Sequence, residues 1–264
     1  MRFRLWLFAL TVTLLGALAL SGCGTNPPAQ AEPAPGGIVL PTPPPMPTNP
    51  PQAPTPTPPP APVAAAAPTA GNTLLAADFG PSTDLKQWIV VDAADALPGP
   101  SVWKVQDGRL IPYSDAQDLP SMYSTALLTG DPTWRDYSVS IAGYVSNNDE
   151  LGVVARGSDQ GYYVFKLLPA GQKPGMVLAR YDAARSSFTP LATADQGGFA
   201  LQRWYTLRLQ VQGDQLTAFV DGKPALKARD TTFAQGRAGV AAFAEDGLEF
   251  DNFVVQALAP SGQQ

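Results

Sequence analysis

The chain has 264 residues, including 29 prolines, one cysteine and no histidine, and its net charge is −5. The absence of histidine excludes Ser-His-Asp and Cys-His nucleophile systems, imidazole general bases and zinc sites built on histidine. One cysteine excludes an intramolecular disulfide, and the acidic balance argues against nucleic acid or an anionic lipid surface as a partner.

Residues 1–22 have the features of a signal peptide. Arg2 and Arg4 precede an apolar run over residues 5–20. This run is short for a membrane-spanning helix, which needs about 20 residues. Its length is typical of the apolar region of a secretory signal. Removal of this segment lowers the net charge of the mature chain from −5 to −7.

The apolar run ends in Leu20-Ser21-Gly22-Cys23, which resembles the bacterial lipobox. The resemblance implies cleavage before Cys23 and attachment of diacylglycerol to its sulfur. Two or three acyl chains anchor a protein stably, so the membrane is a predicted partner and the predicted location is extracytoplasmic, lipid-anchored at the cell membrane or cell surface. The alternative is an ordinary secretory signal followed by an incidental cysteine.

Residues 24–71 contain 18 prolines. Proline fixes φ and lacks an N–H, so this segment cannot form a helix or a sheet ladder. With Cys23 it is predicted to be a disordered tether, residues 23–71, with polyproline II character and a reach of at most about 150 Å. We interpret it as a spacer; a ligand for a proline-reading module and a glycosylated stalk are the alternatives.

From Thr73 onward the pattern changes to short alternating runs separated by glycine, asparagine, aspartate and proline. Apolar residues alternate at period two, as expected of half-buried strands, and Asp221-Gly222 is a strong hairpin signal. We find no amphipathic helix. The prediction is an all-β domain over residues 72–258, an antiparallel two-sheet sandwich, followed by a disordered tail over 259–264. The clearest strands are predicted at 137–142, 151–156, 162–167, 176–181, 205–211, 216–220, 238–243 and 248–255, with a turn at 157–161.

Short motifs in a fixed order resemble the concanavalin A-like lectin/glucanase superfamily, specifically its laminin-G-like bacterial domains. The likeness covers nearly all of 75–257 and depends on Asp78-Phe79, Trp88, residues 103–110, residues 134–139, Arg156 before residues 162–165, residues 204–209, Val220-Asp221-Gly222 and residues 250–255. It implies a jelly roll of two packed sheets, one of them concave. Members bind glycans, serve as accessory domains of carbohydrate enzymes, or hydrolyse glycosides.

Arg156, Tyr162 and Lys166 are the candidate glycan-binding residues. Sugar recognition needs an aromatic platform and charged or amide groups for the hydroxyls. Tyr162 and Lys166 are four residues apart on one predicted strand, and hence on the same face. Arg180 and Asp182 end the next strand and could join them. The alternative is that these groups only solvate an outward face, while Tyr163, Phe165 and Leu167 fill the core. The tryptophans at 88, 103, 134 and 204 are interpreted as core and sheet-edge packing, because each adjoins an alternating apolar run.

Asp78 and Asp251 are the candidate metal ligands. In the superfamily the first and last strands are often antiparallel neighbours, with a structural calcium near their ends, and these two residues fall on the matching positions. Carboxylate oxygens suit Ca²⁺. The alternative is that Asp251-Asn252 is a polar pair that protects a sheet edge from aggregation.

Enzymatic activity is not predicted. Glucanases of this fold carry Glu-x-Asp-x-x-Glu along one strand, and no segment matches; residues 148–150 are predicted as a turn, and residues 245–251 have the wrong order. The sequence therefore favours a monomeric, non-catalytic glycan-binding domain displayed on a lipoprotein. The alternatives are a structural or adhesive envelope protein that binds another protein, or a glycoside hydrolase.

Overall fold

A computed structural model describes residues 72–93, 101–113, 124–243 and 247–258. The predicted signal peptide, the lipidation site Cys23, the tether and the tail after residue 258 lie outside these ranges. Within them, no helix is long and apolar enough to cross a bilayer. The strands are β1 Thr73–Ala77, β2 Ile89–Asp92, β3 Val102–Gln106, β4 Arg109–Tyr113, β5 Ser124–Thr129, β6 Tyr137–Val145, β7 Glu150–Ser158, β8 Gly161–Leu167, β9 Met176–Asp182, β10 Ser187–Ala194, β11 Arg203–Gln212, β12 Gln215–Val220, β13 Lys223–Arg229, β14 Arg237–Phe243 and β15 Leu248–Ala257.

The strands form two antiparallel sheets. Sheet A has eight strands in the order β13-β12-β11-β6-β15-β4-β3, with β1 also paired to β15. Sheet B has seven strands in the order β10-β9-β8-β7-β14-β5-β2. The all-β, two-sheet prediction is confirmed. Pairing of β1 with β15 also confirms that the first and last strands are antiparallel neighbours.

The main core lies between the sheets and follows the period-two alternation of the strands. Tyr163, Phe165 and Leu167 of β8 are buried in this core, as predicted. Leu207 and Leu209 of β11 contribute to it from sheet A. Burial of each such side chain stabilises the fold by about 1.5–3 kcal/mol before entropy is counted.

Two turns show where the sequence specifies local structure and where it does not. Asp221 and Gly222 have φ values of 49° and 77° and connect β12 to β13, which confirms the predicted hairpin. The turn predicted at 157–161 is shorter, because β7 extends to Ser158 and β8 begins at Gly161. A β-bulge between Ala155 and Ser158 accommodates the additional residues of β7.

Candidate functional site

A second apolar cluster lies on the outer face of sheet B, on the side of the sheet away from the main core. Tyr162, Tyr181 and Phe188 form a cross-strand row in it, since Tyr181 is paired with Tyr162 on one side and with Phe188 on the other. The ring centroid of Tyr181 is 4.9 Å from that of Tyr162 and 4.8 Å from that of Phe188. Tyr162 and Tyr181 are buried, whereas Phe188 is half-buried.

Two charged side chains border this aromatic row. The Nζ atom of Lys166 lies 5.5 Å from the ring centroid of Phe188 and 2.5 Å from Oε2 of Glu150. Tyr162 and Lys166 therefore share one face and meet around Phe188. We call Glu150, Tyr162, Lys166, Tyr181 and Phe188 the sheet-face cluster. It combines an aromatic surface, an ammonium donor and a carboxylate acceptor, which are the groups that sugar recognition uses.

Arg156 does not belong to the sheet-face cluster. Its φ of 52° and the bulge of β7 turn its side chain away from the outer face, so the alternation that holds for β8 fails here. Arg180 of β9 likewise contacts the loop between β13 and β14 (residues 230–236). The bulge explains the position of Arg156, since regular alternation would place it opposite Tyr162. Arg180 is paired with Tyr163 in regular register, so it lies on the inner face of the sheet and does not join Tyr162.

The Arg156 side chain is one of the largest fully buried groups, with 2% of its surface exposed. Its Nε and Nη2 atoms donate to the carbonyl oxygen of Arg135 at 3.1 and 3.0 Å, and Nη1 donates to the carbonyl oxygen of Phe233 at 3.0 Å. Its backbone N–H donates to the Tyr137 hydroxyl at 2.6 Å. Burial lowers the pKa of the Arg156 guanidinium and raises the pKa of Tyr137.

The β13–β14 loop is held by two further side chains that face the sandwich interior. The Tyr163 hydroxyl donates to Asp230 Oδ1 at 2.6 Å, and Arg180 Nη1 donates to Asp230 Oδ2 at 2.6 Å. The Phe233 N–H donates to the Tyr163 oxygen at 3.0 Å. Burial and the bond to Asp230 raise the pKa of Tyr163 to about 12. These contacts fix the loop at one end of the sandwich.

Asp78 and Asp251 are near enough to interact electrostatically, but the Asp251 carboxylate is already engaged by other groups. The Asp251 Oδ2 atom accepts from Arg109 Nη1 at 2.7 Å, and its Oδ1 accepts from the Asn252 N–H at 2.7 Å. Both carboxylate oxygens are thus engaged, one of them by a cation. The described residues contain no group of three or more carboxylate, histidine or cysteine side chains that could hold a metal.

The sheet order contradicts the alternative role, in which Asp251-Asn252 protects a sheet edge. Strand β15 lies inside sheet A, with β6 on one side and β1 and β4 on the other. Asp251 is at a register shift in the β6–β15 pairing, and Asn252 has a φ of 53°. The pair therefore marks a bulge within the sheet rather than an exposed edge.

Sequence reasoning missed a smaller cluster on the outer face of sheet A. Trp204 stacks against Tyr144 with centroids 5.4 Å apart, and the Arg109 guanidinium lies 5.2 Å from the Trp204 ring centroid. Trp204 was assigned to core or sheet-edge packing, and it is buried, but outside the main core. Trp204 is paired with Tyr144 of the neighbouring strand β6. Knowledge of this strand pairing would have been needed to predict the cluster.

No protein-family model matches the chain. Over 180 residues it is 28% identical to an extracellular exo-alpha-L-arabinofuranosidase of Streptomyces chartreusis. That alignment covers 64% of this chain and 20% of the enzyme, so the chain spans about one fifth of the enzyme's length.

Solved structures show the same fold at low sequence identity. The carbohydrate-binding module CBM66 of Bacillus subtilis superposes with a TM-score of 0.51 at 13% identity, over 65% of this chain and 96% of the module. A Bacillus subtilis protein of unknown function with a galectin-like fold has a TM-score of 0.53 at 12% identity, over 73% of this chain and 99% of that protein. The chain thus shares a two-sheet sandwich fold with a carbohydrate-binding module and with a protein of galectin-like fold.

Proposed function

We propose that this chain is a non-catalytic glycan-binding domain displayed outside the cytoplasm. The observation that carries the proposal is the sheet-face cluster, in which the half-buried Phe188 ring lies beside the Lys166–Glu150 ion pair. A sugar ring presents an apolar face to an aromatic side chain and hydroxyls to charged groups. Tyr181 and Tyr162 pack in the same row as Phe188, with ring centroids 4.8 and 6.4 Å from that of Phe188.

The relatives support the same proposal. A carbohydrate-binding module shares the fold, and an extracellular arabinofuranosidase shares sequence over a region that is one fifth of its length. A region of that size is consistent with an accessory domain that binds carbohydrate beside a separate catalytic part.

A glycan array followed by calorimetry on the purified full chain tests the binding role, with arabino-oligosaccharides included as probes. Phe188→Ala and Lys166→Ala are expected to weaken binding about tenfold or more, as expected for loss of an aromatic platform or a charged hydrogen bond. Phe219→Ala is the matched control, because Phe219 is also half-buried beside a cation, the Arg208 guanidinium at 3.7 Å, but lies on sheet A.

Three outcomes would overturn this function or its assignment to the sheet-face cluster. Absence of binding to any glycan together with capture of a defined envelope protein would favour the adhesive alternative. Equal losses in Phe188→Ala and Phe219→Ala would remove the sheet-face cluster as the site. Release of reducing sugar from cell-wall or plant polysaccharides by the purified chain would replace a binding role with a hydrolytic one.

We further propose that lipid on Cys23 anchors this domain to a membrane and that residues 24–71 act as the spacer. The support is the lipobox-like segment and the proline content of the sequence. Metabolic labelling with a fatty-acid analogue is expected to mark the wild-type chain and not Cys23→Ala. Labelling that persists in Cys23→Ala would contradict the anchor.

A further inference from the structure

A cleft of about 300 Å³ opens at the end of the sandwich where three connections meet. These are the β5–β6 loop, the β11–β12 turn and the β13–β14 loop. Its volume is at the lower end of the range for ligand pockets, which suits a ligand of one or two rings. Its polar and aromatic lining consists of Arg135, Asp136, Arg156, Asp214, Thr231 and Phe233.

The cleft is built on side chains that are already fixed. Arg156 forms part of the lining and donates to carbonyl oxygens on two of its walls, those of Arg135 and Phe233. The Phe233 wall is also held by Tyr163, whose ring centroid lies 5.3 Å from that of Phe233. Because these walls are already ordered, ligand binding does not have to offset the entropy cost of ordering a loop.

The charges of the cleft leave one cation unmatched among the described residues. Asp214 is paired with Arg229, whose Nη1 lies 2.7 and 2.8 Å from its two carboxylate oxygens. Asp136 Oδ1 accepts from the Gly213 N–H at 2.8 Å and lies 3.4 Å from Arg156 Nη2. Arg135 is exposed, and its guanidinium forms no ion pair with another described residue.

We propose that this cleft is a second binding site, for the anionic residue of an acidic saccharide of the uronic acid class. The planar guanidinium of Arg135 matches a carboxylate in a bidentate arrangement. The Thr231 hydroxyl and the Asp214 carboxylate provide groups for sugar hydroxyls, and Phe233 provides an apolar wall. The site extends the proposed glycan binding to another part of the molecule and does not use the sheet-face cluster.

Calorimetry or NMR titration of the full chain with a galacturonic acid disaccharide tests the site, with the matched galactose disaccharide as the neutral probe. The wild type is expected to bind the uronate at least about tenfold more tightly than the neutral sugar at low salt, and less tightly as salt rises. Arg135→Ala is expected to lose this preference. Arg185→Ala is the control. Arg185 is an exposed arginine that lines a neighbouring cleft, and Phe233 lines that cleft as well.

Three results would overturn the site. The first is equal affinity for the two disaccharides. The second is an unchanged uronate preference in Arg135→Ala. The third is displacement of the uronate by sulfate at equal concentration, which would show an anion site without sugar selectivity. A wild-type chain that binds neutral glycans but shows no uronate preference would remove this cleft and leave the proposed function intact.

Discussion

The inner and outer sides of strands β7, β8 and β9 use polar residues in opposite ways. On the inner side, Arg156, Tyr163 and Arg180 make specific hydrogen bonds that hold the β13–β14 loop. On the outer side, Tyr162 belongs to the aromatic row and Lys166 borders it at Phe188. The inner side therefore holds the loop that lines the proposed cleft, and the outer side carries the sheet-face cluster. Substitutions on the two sides should separate into effects on stability and effects on binding.

The largest effect is expected from Arg156→Met. The variant leaves the carbonyl oxygens of Arg135 and Phe233 without their donor inside the protein, so the free energy of unfolding should fall by about 3 kcal/mol or more. Urea denaturation measures this loss. The exposed Arg185→Ala should leave the urea midpoint unchanged. A stable Arg156→Met that fails only in glycan binding would instead make Arg156 a ligand contact.

Tyr163→Phe should have the next largest effect. It removes the hydroxyl that donates to Asp230 and accepts from the Phe233 N–H, which should cost about 2 kcal/mol of unfolding free energy. Tyr181→Phe is the matched change on the outer side of the sheet, where the hydroxyl forms no hydrogen bond with a described residue. It should cost less than about 0.5 kcal/mol. Equal losses in thermal or urea unfolding would contradict the division between the two sides.

The period-two alternation of apolar and polar residues predicted the sandwich well, because most strands are regular. Tyr163 and Phe165 could be assigned to the core from period two alone, and the Asp221-Gly222 hairpin follows from residues that tolerate positive φ. Strand β10 is hard to predict from the sequence, because Pro190 interrupts it and proline is unfavourable in a sheet interior. The proline is tolerated because β10 is the last strand of sheet B.

The candidate site was only partly predictable, and the bulge in β7 is the physical reason. A positive φ at a non-glycine residue such as Arg156 has no reliable sequence signal, and it reverses the parity on which a face assignment depends. Phe188 reaches Tyr162 only through the pairing of β8, β9 and β10, which period-two reasoning within one strand does not provide. Long-range pairing therefore decides the composition of the sheet-face cluster.

A smaller effect is expected from the pH dependence of stability, which tests the hydrogen bonds of Asp230 on the inner side. Although burial alone would raise it, hydrogen bonds from Tyr163 and Thr232 keep the pKa of Asp230 below its ordinary value. A carboxyl group with a lowered pKa in the folded state stabilises the protein above its unfolded pKa of about 4, and this contribution is lost as the pH falls. The stability advantage of the wild type over Asp230→Asn should therefore shrink between about pH 6 and pH 3. A constant difference in urea midpoints over this range would contradict the assignment.

The smallest effect on stability is expected from calcium, for a reason that a comparison of two carboxylates shows. Asp230 and Asp251 each accept from one arginine and from one nearby backbone N–H. Asp251 is buried, which raises the pKa of its carboxyl group, and the Arg109 cation at 2.7 Å compensates its charge. Calcium would have to displace Arg109 to bind there. Millimolar Ca²⁺ or EDTA should therefore leave the Tm of the wild type unchanged, whereas a rise with Ca²⁺ that disappears in Asp251→Ala would restore the metal site predicted from Asp78 and Asp251.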